Sequence, residues 1–99
     1  MSGYYILDEK HNAVKCTMDE WSAYFENNDA RRVAFTEDGE ISVSTVFLVI
    51  DHNWGEGEPL LFETTIFGGE HDQDQWRYHT WDEAEKGHAE ACKIAGVKP

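Results

Sequence analysis

Along the chain, apolar positions switch between two repeats, a period of two and a helical period, and the switches divide it into elements. Tyr4–Leu7 reads as a short strand, Asp8–Asn12 as a polar turn and Ala13–Lys15 as a return strand. Thr17-Met-Asp-Glu20 then has the form of a capping box. The Thr17 hydroxyl can accept from the Glu20 amide, and the Glu20 carboxylate can reach back to the Thr17 amide. Met18, Trp21, Tyr24 and Phe25 follow at helical spacing and predict a helix of about ten residues with an aromatic face, ended by Asn27-Asn28-Asp29.

The middle of the chain is strand-like. Arg32–Glu37 and Glu40–Ile50 flank Asp38-Gly39, a strong hairpin signal. In the second of these strands Ile41, Val43, Thr45, Phe47 and Val49 share one face. The other face opens with Ser42 and Ser44 and turns apolar at Val46, Leu48 and Ile50. Pro59–Phe67 reads as a third long strand broken by Gly68-Gly69. A polar loop over residues 70–75 and a short strand Trp76–His79 follow. A second capping box, Thr80-Trp-Asp-Glu83, opens a helix with Trp81, Ala84, His88, Ala91 and Ala95 on one stripe and Gly96 as its stop. The element order ββαβββ(β)α predicts an α+β fold. Its antiparallel sheet has about five to six strands with two helices packed on one face, all in a single domain over residues 1–99.

Charge narrows the classes of partner. Twenty acids against eight Lys and Arg give a net charge of −12. Between residues 51 and 90 the bases are Arg77 and Lys86 alone. Such a field repels nucleic-acid phosphates and anionic membranes, and it favours basic proteins or metal cations. No basic leader with an apolar stretch opens the sequence, and no run approaches the length of a membrane span. The expected location is therefore a cytoplasm, with Cys16 and Cys92 reduced.

Candidate chemistry gathers first at Asp51-His52-Asn53-Trp54, beside the loop Gly-Glu-Gly-Glu-Pro. Strand alternation sends Asp51 and His52 to opposite faces, and Glu56 and Glu58 repel phosphate, so a contact surface is expected here and not a catalytic base or a phosphate cradle. Glu63 would approach this segment only if the flanking strands pair. Arg77, between Trp76 and Tyr78, can stack or pair with an acid. His71, Asp72, Asp74 and His79, and separately His88 with Cys92 four residues on, offer metal donors without a recognised ligand spacing. No cofactor is implied and no catalytic residue is assigned. The candidate ligand- or partner-binding residues are His52, Asn53, Trp54, Glu63, Arg77 and His88.

The segments "RRVAFT", "STVFLVIDHNWG", "PLLFETTIFGG" and "RYHTWDEAEKGH" resemble a family of small uncharacterised bacteriophage and prophage proteins with a STVFLxxDHNxG…PLLFET…FGG…RYxTWxEAExGH pattern. The likeness covers most of the chain and is strongest over residues 31–88. Trp54, Val49, Thr65-Ile66 and His79 depart from the pattern; His79 stands where that family has a small polar residue. The resemblance brings no activity. It implies a phage accessory protein in a bacterial cytoplasm, a setting in which antagonism of host defence is expected. Three functions follow as expectations: a non-enzymatic binding module that inhibits a basic, nucleic-acid-handling or defence protein of the host as a nucleic-acid mimic; a sponge for a small nucleotide signal; and a metal-dependent enzyme using His52, His79 or His88. Self-association as a homo-oligomer is left open.

Overall fold

The computed structural model describes residues 4–26, 31–48 and 59–98. A short hairpin, β1 (Tyr5–Leu7) and β2 (Ala13–Lys15), is followed by α1 (Met18–Phe25). Then come β3 (Arg32–Asp38), β4 (Ile41–Phe47), β5 (Phe62–Phe67) and β6 (Gln75–Tyr78), and the chain closes with α2 (Trp81–Ala95). The fold is α+β, as the periodicity predicts. The six strands form two antiparallel sheets, a pair β1-β2 and a four-stranded sheet in the order β3-β4-β5-β6. The split follows from α1: it occupies the stretch between β2 and β3, so the hairpin packs onto the covered face of the larger sheet and does not extend its edge.

Local signals explain most element ends. At α1 the Thr17 hydroxyl accepts from the Glu20 amide at 3.2 Å and the Glu20 carboxylate accepts from the Thr17 amide at 3.0 Å, the full reciprocal box. At α2 the Thr80 hydroxyl accepts from the Glu83 amide at 3.1 Å, but Glu83 reaches one residue further back, to the amide of His79 at 2.9 Å. Gly96, at φ 79°, ends α2 in a Schellman motif. Its amide bonds the Lys93 carbonyl, and the Val97 amide bonds the Cys92 carbonyl at 2.9 Å.

Two expected boundaries move. The β3–β4 register pairs Asp38 with Ile41, so the two-residue loop is Gly39-Glu40 and not Asp38-Gly39. The left-handed φ of 63° at Gly39 falls on the first loop position, where a type II′ turn requires glycine. The third long strand begins at Phe62, since Pro59 cannot donate to a ladder. Leu61 still bridges its neighbours, accepting from the Leu48 amide at 2.7 Å and donating to the Tyr78 carbonyl at 3.1 Å.

Alternation sorts the four-stranded sheet into two faces. Val43, Thr45 and Phe47 of β4 and Phe62, Thr64 and Ile66 of β5 are buried and point toward α2, which contacts all four strands. A β-bulge between Arg32 and Ala34 turns Val33 to the same side. Two clusters result. Val43 and Ile66 pack with Ala91, Cys92 and Val97, while Phe47, Leu61 and Phe62 pack with Ala84 and with Tyr5, Leu7, Trp21, Tyr24 and Trp81 from the hairpin and the helices. Both helices thus lie on one face. The opposite face carries Phe35, Ser44, Val46, Glu63, Phe67 and Arg77 and no helix among the described residues. No helix among those residues is long and apolar enough to cross a membrane.

α2 passes close to the sheet at Gly87, where a Cβ would fall on the Tyr78 phenol. Tyr78 cannot readily yield, because its ring packs in the second cluster. Gly to Ala within a helix ordinarily stabilises by about 1 kcal/mol. Here Gly87→Ala is expected to destabilise by about 1–3 kcal/mol through overpacking, read by urea unfolding. A variant as stable as the parent would show that α2 can lift from the sheet.

Candidate functional site

The sequence-predicted site residues fall into three places. His52, Asn53 and Trp54 lie outside the described residues. Glu63 and Arg77 are direct cross-strand partners on β5 and β6, and Arg77 Nε donates to Glu63 Oε2 at 2.9 Å. This pair sits on the face away from the helices. His88 lies on the other side of the sheet, 5% exposed beneath α2. The sheet therefore separates His88 from Glu63 and Arg77, and these three residues do not share a concavity.

His88 belongs instead to a buried polar chain. Its Nδ1 is 2.8 Å from the Thr45 hydroxyl and its Nε2 is 2.9 Å from the Thr36 hydroxyl. Thr45 is 2.6 Å from Thr64. Three strands, β3, β4 and β5, thus contribute one hydroxyl each to a run that passes through the helix imidazole. Neutral imidazole donates with one nitrogen and accepts with the other, so every member of the run can be satisfied without a charge. Burial pushes the His88 pKa below its ordinary value of 6.5 and that of the Tyr78 phenol above 10.0.

A metal role for these residues finds no support in this geometry. Both His88 nitrogens are engaged by threonines, and Cys92, a free thiol, is fully buried one turn on. His71 pairs with Asp74 at 3.1 Å, while Asp72 accepts from the Gly68 amide at 2.6 Å. Among the described residues no group of three His, Cys, Asp or Glu converges.

The concavity that the fold does build lies elsewhere, where the β1–β2 hairpin meets the start of α2. Asp8 shapes the hairpin turn: its carboxylate accepts from the Lys10 amide at 2.8 Å and the Asn12 amide at 2.9 Å. The backbone bond from Asn12 is the main reason its pKa falls below 3.8. The turn holds His11 at φ 65°, a left-handed conformation unusual for a residue with a side chain. From there the His11 ring stacks on Trp81, with centroids 3.8 Å apart and planes 10° from parallel. Trp81 in turn meets Phe62 edge-on.

Opposite stands His79. Its Nδ1 is 2.9 Å from the Pro59 carbonyl, which can only accept, so Nδ1 carries a proton and donates it there. The cleft between these groups encloses about 600 Å³. That volume is within the range of about 300–1,000 Å³ common to ligand pockets. Leu61 and Phe62 form its apolar floor, and Asp82, Glu85 and Lys10 stand along its walls. Sequence reasoning missed this cleft. His11 reads as one polar turn residue among five, and nothing in the local pattern says that the turn faces Trp81.

No protein-family model matches the chain, and no curated protein or solved structure matches it. The site is therefore interpreted from its own chemistry.

His88 gives a pH signature. Its folded-state pKa is depressed, so the unfolded state binds the proton first, and stability falls as pH drops below about 6.5. His88→Gln, which keeps one polar contact and loses the ring, is expected to cost about 1–3 kcal/mol at pH 7.5 and to flatten the stability curve between about pH 6.5 and 5. Urea titrations at stepped pH measure both. An unchanged slope in the variant would show that His88 is not its source.

Proposed function

We propose that this chain is a small non-enzymatic binding protein that engages a basic surface of a host protein, occupying a site that otherwise holds nucleic acid. The observation that carries this reading is the uncompensated charge of the exposed surface. Every described Asp and Glu except Glu63 is exposed, and no described base forms an ion pair with Glu37, Asp38, Glu40, Glu70, Asp82, Glu85 or Glu90. Carboxylates left to solvent cost nothing to keep charged, and they steer a cationic partner toward the protein.

The buried polar groups support the same reading by what they already do. His88 and its threonines satisfy one another inside the core, and Arg77 is committed to Glu63. A sponge for a nucleotide signal would need Arg77 as its phosphate contact, which makes it the less economical reading. The resemblance to phage and prophage proteins supplies the setting for the proposal, a bacterial cytoplasm in which the partner is a nucleic-acid-handling or defence protein.

Capture from bacterial lysate at low salt, followed by retesting each captured protein in purified form, checks the proposal. The expected partner binds nucleic acid, releases it when this chain is added, and loses about tenfold in affinity between about 50 and 200 mM salt. Finding no nucleic-acid-binding partner at low salt, or an affinity indifferent to salt, contradicts it.

A further inference from the structure

We infer that the cleft between the β1–β2 turn and the first turns of α2 is a seat for an arginine side chain presented by a basic polypeptide partner. This rests on the basic-partner reading above and assigns it a place.

Two acceptor-only carboxylates stand at the cleft, among side chains of Tyr5, Asn12 and Thr80 that can both donate and accept. Asp82 and Glu85 line it, both are exposed, and neither has a hydrogen bond or ion pair with a described residue. His79 adds a ring nitrogen, Nε2, that accepts when the ring is neutral, since Nδ1 donates to the Pro59 carbonyl. Against these acceptors stands one cationic side chain, Lys10, carried on the hairpin turn. A guanidinium offers five donors in a planar fork and no acceptor, which is the complement of this set.

The apolar part of the cleft suits the rest of an arginine. Leu61, Phe62 and Trp81 can take the aliphatic stem, and because His11 and Trp81 cover one face of each other, a guanidinium plane can lie only against an outer face of that stack. The shelf continues outward, since a shallower depression shares Asp82 and Glu85 and runs along α2 past Lys86 to Ala89. The flanking backbone of an extended peptide would follow that direction.

Anions are disfavoured at the same spot. The amide of Glu83 at the start of α2 is already taken by the Thr80 hydroxyl, and the Glu83 carboxylate is taken by the His79 amide. The two unpaired carboxylates would repel a phosphate. The cleft thus differs from the open face of the sheet, where Arg77 and Glu63 satisfy each other.

Three probes titrated into the isotopically labelled protein at about 20 mM salt test the assignment: the capped hexapeptide GRGRGG, the same peptide with citrulline for arginine, and a single capped arginine. The arginine peptide is expected to shift the amides of residues 10–13 and 79–85 and the Trp81 indole. The citrulline peptide should leave them in place. Asp82→Asn/Glu85→Gln is expected to weaken binding about fivefold or more, and Glu37→Gln/Glu40→Gln, at the far hairpin, less than about twofold.

If the double variant does not fold, Glu85→Gln alone, in the second turn of α2, serves the same comparison. Equal weakening in the two double variants, or shifts spread over the surface, would overturn the cleft while leaving the basic-partner reading standing. No binding of the arginine peptide to the parent protein would overturn both. If the single capped arginine binds as tightly as the hexapeptide, the seat belongs to a free guanidinium-bearing molecule, and the polypeptide assignment falls.

Discussion

The contact on which the structure depends is the one between the His88 ring and the threonine hydroxyls of the sheet. α2 has to lie across four strands, and apolar packing by itself would tolerate sliding along the sheet by a turn. Hydrogen bonds that join one imidazole with Thr36 on β3 and Thr45 on β4, one donated and one accepted by the neutral ring, do not. Because the same run continues to Thr64, it also ties β5 to the helix position. A partly satisfied network of this kind would cost more than an apolar core, so one complete arrangement excludes its shifted neighbours. The close pass of Gly87 over Tyr78 follows from it, and so does the placing of Trp81 and His79 at the cleft.

This constraint also explains how much could be seen in the sequence. Features encoded within one helical turn were legible: the Thr17–Glu20 box, the Thr80 cap, the Gly96 stop and the alternation that puts Thr45 among apolar residues on β4. The Gly39 hairpin was legible to within one residue, since the pair Asp-Gly is common to several turns and the register decides among them. His88 was visible as an unusual residue on an apolar stripe. Its partners were not, because Thr36 and Thr45 stand 52 and 43 residues from His88 along the chain, and Thr64 stands 19 residues from Thr45. The ion pair of Glu63 with Arg77 needed the β5–β6 register, and the His11–Trp81 stack needed the hairpin to fold onto α2.

The division of polar groups between interior and surface is what makes a binding role the economical one. Inside, hydroxyls and a neutral imidazole satisfy each other without charge. Outside, carboxylates stand on the loops, the hairpin end and the free side of α2, and several have no cation beside them. A chain with a net charge of −12 gains no stability from this distribution, since like charges repel in the compact state. What the distribution supplies is attraction over the distance of a Debye length toward a cationic surface, together with a cleft whose free acceptors match a donor-rich side chain.

The most direct test of the central constraint is the titration of the His88 side-chain nitrogens by NMR as pH is lowered from 7.5 to 5. A ring buried between two hydroxyls is expected to take up its second proton below pH 6.5, with the threonine resonances moving as it does. A His88 that takes up its second proton near pH 6.5 while the surrounding threonine resonances stay in place would contradict the account.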